Sequence, residues 1–84
     1  MEITNKVVVI TGGAGGIGLA LAKSFLKENP KMIILVDVDF SNHKFENEKL
    51  VCKKCDVTNQ FCFEKLIDEI NNDFGLIDIF CSNA

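Results

Sequence analysis

The sequence predicts an α/β protein built on a parallel β-sheet, and two observations support that fold class. Short apolar runs rich in β-branched residues, typical of buried strands, alternate with segments that have the three-to-four-residue spacing of amphipathic helices. The order strand, helix, strand, connector, strand, helix, strand is typical of a parallel sheet. We therefore expect a sheet with helices on both of its faces.

The first strand and the first helix lie on either side of a glycine cluster. Residues 6–11 form the predicted strand, and residues 16–29 form the predicted helix. Pro30 ends this helix because proline cannot continue the hydrogen-bond ladder. One side of the helix is mostly apolar, and it comprises Ile17, Ala20, Leu21, Ser24, Phe25 and Glu28.

Three more strands and a second helix follow. The strands are predicted at residues 32–36, 50–55 and 77–82. The second helix runs to about residue 73, with Thr58 as its N-cap and Gly75 at its end. Its apolar stripe consists of Phe63, Leu66, Ile67, Ile70 and Phe74.

The link between the second and third strands, residues 38–49, is short for a parallel crossover. Its composition is polar and typical of turns. The sequence leaves open whether this link holds one helical turn or none.

Composition indicates one small globular domain. The chain has 84 residues, 48% of them hydrophobic, and a net charge of -3, which argues against nucleic acid as the main partner. No apolar run approaches the roughly 18 residues of a membrane span. Met1-Glu2 does not begin a signal-peptide pattern, so we expect a cytoplasmic location, with the four cysteines as free thiols.

Cys52 and Cys55 form a Cys-x-x-Cys pattern that could indicate zinc binding or redox chemistry. Positions three apart in a strand point to opposite faces of the sheet. There is no second such pattern, and His43 is the only histidine. We therefore expect no metal site.

The glycine-rich stretch between the first strand and the first helix has the context of a phosphate-binding loop. The start of a helix offers unsatisfied N–H groups and partial positive charge, and glycine lets a phosphate approach closely. Gly13, Gly15 and Gly18 fit the Gly-x-Gly-x-x-Gly dinucleotide fingerprint. Leu19 and Ala20 exclude a Walker-type site. The alternative is a flexible turn without a ligand. The expected binding residues are Gly12, Gly13, Ala14, Gly15, Gly16, Ile17 and Gly18.

Asp37 ends the second strand, nineteen residues after Gly18 (37 − 18 = 19). The dinucleotide fingerprint places an acidic residue about twenty residues after the loop, where it accepts hydrogen bonds from the adenosine ribose. A carboxylate there would repel a 2′-phosphate, so Asp37 predicts NAD rather than NADP. The alternative is a solvated acid that simply ends a strand.

Thr11, Gly12, Gly16 and Gly18 also form a Thr-Gly-x-x-x-Gly-x-Gly pattern that resembles the short-chain dehydrogenase/reductase family. Three further marks follow in the family's order, namely Asp37, Asp56-Val57 and Ser82-Asn83-Ala84. Gly15 and Val38 occupy positions that often carry a basic residue in NADP-using relatives. Asp56-Val57 resembles the family's pair that flanks the adenine, although Asp56 could instead help Thr58 to cap the helix. Ser82-Asn83-Ala84 resembles the start of the family's Asn-Asn-Ala-Gly motif, which lines the cofactor cleft. The cofactor contacts implied beyond the glycine loop are Asp37, Val38, Asp56, Val57 and Asn83.

The resemblance implies that residues 1–84 are a partial NAD-binding Rossmann domain, with strand order 3-2-1-4 and ending after the fourth strand. Among family members, the sequence looks most like NAD-using ones such as the hydroxyprostaglandin dehydrogenases. Relatives transfer hydride between an alcohol or carbonyl and the nicotinamide, using a serine and a Tyr-x-x-x-Lys motif that lies farther along the chain.

The sequence contains no tyrosine, so no catalytic residue is assigned and we expect the chain alone to be inactive. The helices of the family's oligomer interface are also absent from it, and its substrate is unknown. Two alternatives remain, a non-catalytic NAD-binding or regulatory module and a non-functional remnant.

Overall fold

The computed structural model describes residues 2–40 and 47–83, which form a four-stranded parallel sheet with two helices. The elements in chain order are β1 (Val7–Thr11), α1 (Gly16–Leu26), β2 (Met32–Asp37), β3 (Leu50–Lys54), α2 (Gln60–Phe74) and β4 (Ile79–Cys81). The strand order is β3-β2-β1-β4, and every neighbouring pair is parallel. The predicted fold class and strand order are confirmed.

The two central strands are apolar on both sides, and each side packs against a different helix. Val7, Val9, Ile34 and Val36 belong to one buried cluster, together with Leu66 and Ile70 of α2. Val8, Ile10, Ile33 and Leu35 belong to the other, together with Ala22 of α1. Because successive residues of a strand point to opposite faces, the helices cover opposite faces of the sheet.

The predicted apolar side of α1 is partly wrong. Leu21 and Phe25 do pack on the core, but Ile17, Ala20, Ser24 and Glu28 are exposed. The buried residues of the helix are Gly18 and Ala22. These small residues let the helix lie close to the sheet, and Leu19, Leu21, Phe25 and Leu26 pack against the same cluster, whereas Ile17 stays exposed.

The element ends differ from the sequence prediction where side chains or backbone turns replace regular hydrogen bonds. α1 ends at Leu26, before the turn in which Asn29 adopts a left-handed φ of 56°. β4 begins only at Ile79, because the Asp78 carboxylate accepts a hydrogen bond from the Val7 amide (2.9 Å) beside the first ladder bond. β3 ends at Lys54, one residue before its predicted end.

The N-cap of α2 is Asn59 rather than the predicted Thr58. The Asn59 side-chain oxygen accepts a hydrogen bond from the Cys62 amide at 3.0 Å. Thr58 instead donates its hydroxyl to Asp56 (2.6 Å), which removes it from the cap. At the other end of α2, Gly75 stops the helix as predicted, with a φ of 100° that favours glycine.

The link at residues 38–49, whose conformation the sequence left open, includes residues 41–46, which lie outside the described residues. In the two described ranges, neither helix is long and apolar enough to cross a membrane.

Replacing Asn59 by alanine tests the observed cap. We expect the Asn59→Ala change to lower the free energy of unfolding by about 1 kcal/mol, because the first turn of α2 loses a hydrogen-bond acceptor. Urea denaturation followed by circular dichroism measures the change. Thr58→Ala is the matched control and should cost less. A larger loss for Thr58→Ala would show that the cap is Thr58 after all.

Candidate functional site

The candidate site lies at the carboxyl ends of β1, β2 and β3, where the strands of a parallel sheet meet at one edge. The glycine loop follows β1, Asp37 is the last residue of β2, and Asp56 lies two residues beyond β3. Open α/β sheets bind ligands at this edge, near the point where the strand order reverses. In this sheet the reversal is between β1 and β4.

Backbone hydrogen bonds fix the shape of the glycine loop. Gly12 has a φ of 67°, which favours glycine, and its carbonyl accepts a hydrogen bond from the Gly15 amide at 3.2 Å. The Gly13 amide donates to the carbonyl of Val36 in β2 at 3.0 Å. The loop is therefore tied to the neighbouring strand as well as to itself.

The glycines of the loop fall into two groups when a Cβ atom is placed on each. A Cβ on Gly13 would lie 2.7 Å from the Cβ of Leu35, and one on Gly18 would collide with the Gly12 carbonyl oxygen. The packing of the protein itself therefore explains these two glycines. A Cβ on Gly15 would make only an ordinary contact, and one on Gly16 would have no atom within 4 Å. Internal packing does not explain the absence of a side chain at Gly16.

The first turn of α1 presents unused hydrogen-bond donors. Gly15 is the N-cap residue and has no side chain to accept from the helix, and the first turn has no acidic residue. Leu19 is the first residue of the helix whose amide donates a hydrogen bond to the cap residue, to the Gly15 carbonyl at 2.9 Å. Within the described part of the chain, the N–H groups of Gly16, Ile17 and Gly18 have no acceptor. These donors, with the partial positive charge of the helix start, favour an anion.

Asp37 joins the end of β2 to the glycine loop. Its Oδ2 atom accepts a hydrogen bond from the Ala14 amide (3.0 Å), and its Oδ1 atom accepts one from the Val38 amide (2.7 Å). A carboxylate has about four acceptor positions, so both oxygens retain capacity for a ligand. The bond to Ala14 was not predicted, because nothing in the sequence indicates which loop amide lies over β2.

A depression of about 210 Å³ lies beside Asp37 and collects most of the residues predicted outside the loop. Of the predicted residues, Gly12, Asp37, Val38, Asp56 and Val57 line it. Val36, Cys55 and Thr58 also line it and were not predicted, although each is adjacent in sequence to a predicted residue. Val38 is 55% exposed, so an apolar side chain is open to solvent at this place.

Asp56 holds the turn that leads into α2. Its Oδ1 atom accepts hydrogen bonds from the Thr58 hydroxyl (2.6 Å) and the Thr58 amide (3.0 Å). The hydroxyl bond, followed by the amide bond, lowers the pKa of the Asp56 carboxyl, so it remains ionised at neutral pH. The role considered for Asp56, helping Thr58 to cap the helix, is not the one observed, because Asn59 is the cap and Asp56 binds Thr58 in the turn before it. Its position in the wall of the depression is compatible with a ligand contact.

Thr11 connects the first strand with the segment after the last one. Its buried hydroxyl accepts a hydrogen bond from the Asn83 amide (2.9 Å) and donates to the Cys81 carbonyl (3.4 Å). Asn83, which was predicted as a cofactor contact, does not line the depression. Its described contact is the bond from its backbone amide to the Thr11 hydroxyl.

The other residues predicted in the glycine loop differ in how much of their surface is exposed. Gly13 and Gly18 are buried, whereas Gly15, Gly16 and Ile17 are exposed, with Ile17 at 70%. The described residues include no group of three or more His, Cys, Asp or Glu side chains that could hold a metal ion.

A parallel sheet of this order, with an anion-attracting loop after β1 and an acid at the end of β2, defines a dinucleotide-binding protein of the Rossmann type. The family model described as short chain dehydrogenase matches residues 6–84. The chain therefore belongs to the short-chain dehydrogenase family.

Known proteins similar to this chain are much longer than it is. A sorbose reductase of Candida albicans is 39% identical over 89 residues, which cover 99% of this chain and 32% of that protein. The 15-hydroxyprostaglandin dehydrogenase (NAD(+)) of Homo sapiens is 31% identical over 93 residues, covering 100% of this chain and 35% of that protein. The chain spans about a third of the length of these curated relatives.

A solved structure supports the fold. It is a short chain dehydrogenase from Leptospira borgpetersenii serovar Hardjo-bovis with bound NAD+, 26% identical to this chain, and the superposition has a TM-score of 0.82. The match covers 94% of this chain and 31% of that one.

Alanine at Gly18 and at Gly16 should have opposite effects on stability. We expect Gly18→Ala to lower the free energy of unfolding by about 1–3 kcal/mol, because the new methyl group collides with backbone. Gly16→Ala meets nothing and should not destabilise the chain, since alanine also suits a helix better than glycine. Urea denaturation of both variants measures this. Equal losses would show that Gly16 is also required by packing.

Proposed function

We propose that this chain is the NAD-binding portion of a short-chain dehydrogenase, an oxidoreductase that acts on alcohols or carbonyls. The observation that carries the proposal is Gly16. Packing does not require a glycine there, yet the position is the first residue of a helix whose amides lack acceptors. A phosphate that approaches the helix amides closely would explain why residue 16 has no side chain.

The start of α1 is the place for the cofactor's diphosphate. The N–H groups of Gly16, Ile17 and Gly18 would donate to its oxygens, and the helix dipole would favour its charge. Gly15 and Gly16 leave the approach open, because neither carries a side chain.

The Asp37 carboxylate would accept hydrogen bonds from the hydroxyls of the adenosine ribose. Its negative charge would repel a 2′-phosphate, and Gly15 and Val38 provide no basic side chain to offset that repulsion. These features favour NAD over NADP. The NAD+ in the related Leptospira structure supports the same choice.

The adenine would occupy the depression beside Asp37. The exposed Val38 and the partly buried Val57 give it apolar walls, and Asp56 adds a polar edge. A pocket with mainly apolar walls and few polar groups is typical of small-molecule sites. Asn83 would act indirectly, by tying the end of β4 to Thr11 next to the loop.

Catalysis would need residues that this sequence does not contain. When bound, NAD supplies hydride acceptance or donation at its nicotinamide ring. The family's proton-transfer tyrosine has no counterpart here, because the chain has no tyrosine. The second candidate function is a module that binds NAD without chemistry. A downstream coding sequence with Tyr-x-x-x-Lys would support the first candidate over the second.

We further propose a cytoplasmic location. The four free cysteines fit a compartment that keeps thiols reduced.

Calorimetric titration of the purified chain with NAD tests the proposed site. We expect saturable binding that Gly16→Val weakens by at least about tenfold, or about 1.4 kcal/mol, because a side chain would occupy the approach to the helix amides. The variant should unfold at the same urea concentration as the original chain. Binding unaffected by Gly16→Val would contradict the placement of the diphosphate.

Two substitutions of Asp37 separate its charge from its bond to the loop. Asp37→Asn keeps an oxygen that can accept from the Ala14 amide, so it should retain much of the NAD affinity and lose discrimination against NADP. Asp37→Ala removes the acceptor as well, so it should weaken both cofactors further. Titrations with NAD and NADP measure both effects, and Asp68→Asn, on the exposed side of α2, is the charge-matched control. Unchanged affinities in both variants would refute the role of Asp37.

A further inference from the structure

A second cavity, of about 180 Å³, lies between the end of β3 and α2. Two cysteines line it, Cys55 and Cys62, and so do three lysines, Lys53, Lys54 and Lys65. The proposed function uses neither Cys62 nor any of these lysines.

The two thiols are close together. Cys55 is the residue after β3 and Cys62 is the third residue of α2, and both side chains line the same cavity. Both also belong to the apolar cluster beneath α2. Disulfide formation requires such proximity, because bridged cysteines have Cβ atoms about 4 Å apart.

The environments of the two thiols differ in a way that suits two different chemical roles. Cys62 is partly exposed, in a cavity that Lys53, Lys54 and Lys65 line together with Glu69, which forms an ion pair with Lys53 (3.7 Å). Exposure to solvent is what gives an oxidant access to a cysteine. Cys55 is only 5% exposed, and burial, followed by the neighbouring Cys62 thiol, raises the pKa of the Cys55 thiol. It is therefore the protected member of the pair.

We propose that Cys55 and Cys62 are a redox pair that hydrogen peroxide converts to an intramolecular disulfide. In the first step, the Cys62 thiolate attacks peroxide, its sulfur gains one oxygen as a sulfenic acid, and the other oxygen leaves as water after taking a proton. In the second step, the Cys55 sulfur attacks the Cys62 sulfur, and the hydroxide that leaves takes the Cys55 proton to form water. Overall, two thiols and one peroxide give one disulfide and two waters.

The other cysteines are less well placed for this reaction. Cys52 is paired in register with Leu35, whose side chain packs on the α1 face of the sheet, so Cys52 points away from the pair. Cys81 also packs with the cluster on the α1 face. The fold thus selects Cys62 as the partner of Cys55, although Cys52 is nearer to Cys55 in sequence.

The sequence allows a direct test by mass spectrometry. Trypsin cleaves after Lys54 and Lys65, so residues 55–65 form one peptide that contains Cys55, Cys62 and no other cysteine. The purified chain is treated with hydrogen peroxide, the peroxide is removed, the remaining thiols are blocked with N-ethylmaleimide in urea so that the buried Cys55 also reacts, and the chain is then digested. We expect this peptide to carry no maleimide and to be two hydrogen atoms lighter than the dithiol form. Without peroxide it should carry two maleimides.

Three controls keep the result specific to the fold. In Cys62→Ser, the Cys55 peptide should carry one maleimide after peroxide, whereas Cys52→Ser should leave the disulfide unchanged. In urea the fold is lost, so a disulfide between Cys55 and Cys52 should form in competition with the disulfide between Cys55 and Cys62. The proposal is overturned if peroxide oxidises Cys52 while residues 55–65 keep both maleimides, if Cys62 gains oxygens without a crosslink, or if the unfolded chain gives the same bridge equally fast. The first two of these outcomes are measured on the original chain, so they can be observed even if Cys62→Ser does not fold.

Discussion

β1 is buried along its whole length, and the rest of the structure is arranged around it. β2 pairs with all five of its residues and β4 with Val8–Ile10, and the two apolar clusters cover its faces from Val7 to Ile10. A strand in this position cannot leave polar backbone groups unpaired, so its register with both neighbours is fixed. The glycine loop begins where that strand ends, and its position over β2 follows from the same register.

The order of elements and most of the core could be predicted from the sequence, because buried parallel strands appear as continuous β-branched runs. The inward side of α1 could not be predicted in the same way. The spacing of large apolar side chains was used to predict which side faces the core, whereas the residues of α1 that are buried against the sheet are Gly18 and Ala22. The cap of α2 was also beyond prediction, since Thr58 and Asn59 are both good caps. The choice between them depends on where the Asp56 carboxylate points.

For the site, sequence reasoning identified residues that follow strands, and the parallel sheet brings most of them to one edge. It could not distinguish the reasons for individual glycines. Gly13 and Gly18 are needed because a side chain there would collide with neighbouring segments, whereas a side chain at Gly16 would face open space. The sequence does not distinguish these two situations. It also could not indicate that the Asn83 backbone amide binds the Thr11 hydroxyl, because a motif does not reveal which backbone groups of its residues are used.

The hydrogen bond between Asp37 and Ala14 has a consequence for protein engineering. A Rossmann protein accommodates the 2′-phosphate of NADP with a basic residue near the place where an NAD protein has the acid. In this protein, replacing Asp37 with a basic residue would also remove a support of the phosphate-binding loop. A redesign for the phosphorylated cofactor should therefore supply a new acceptor for the Ala14 amide, or a new anchor for the loop, together with the positive charge.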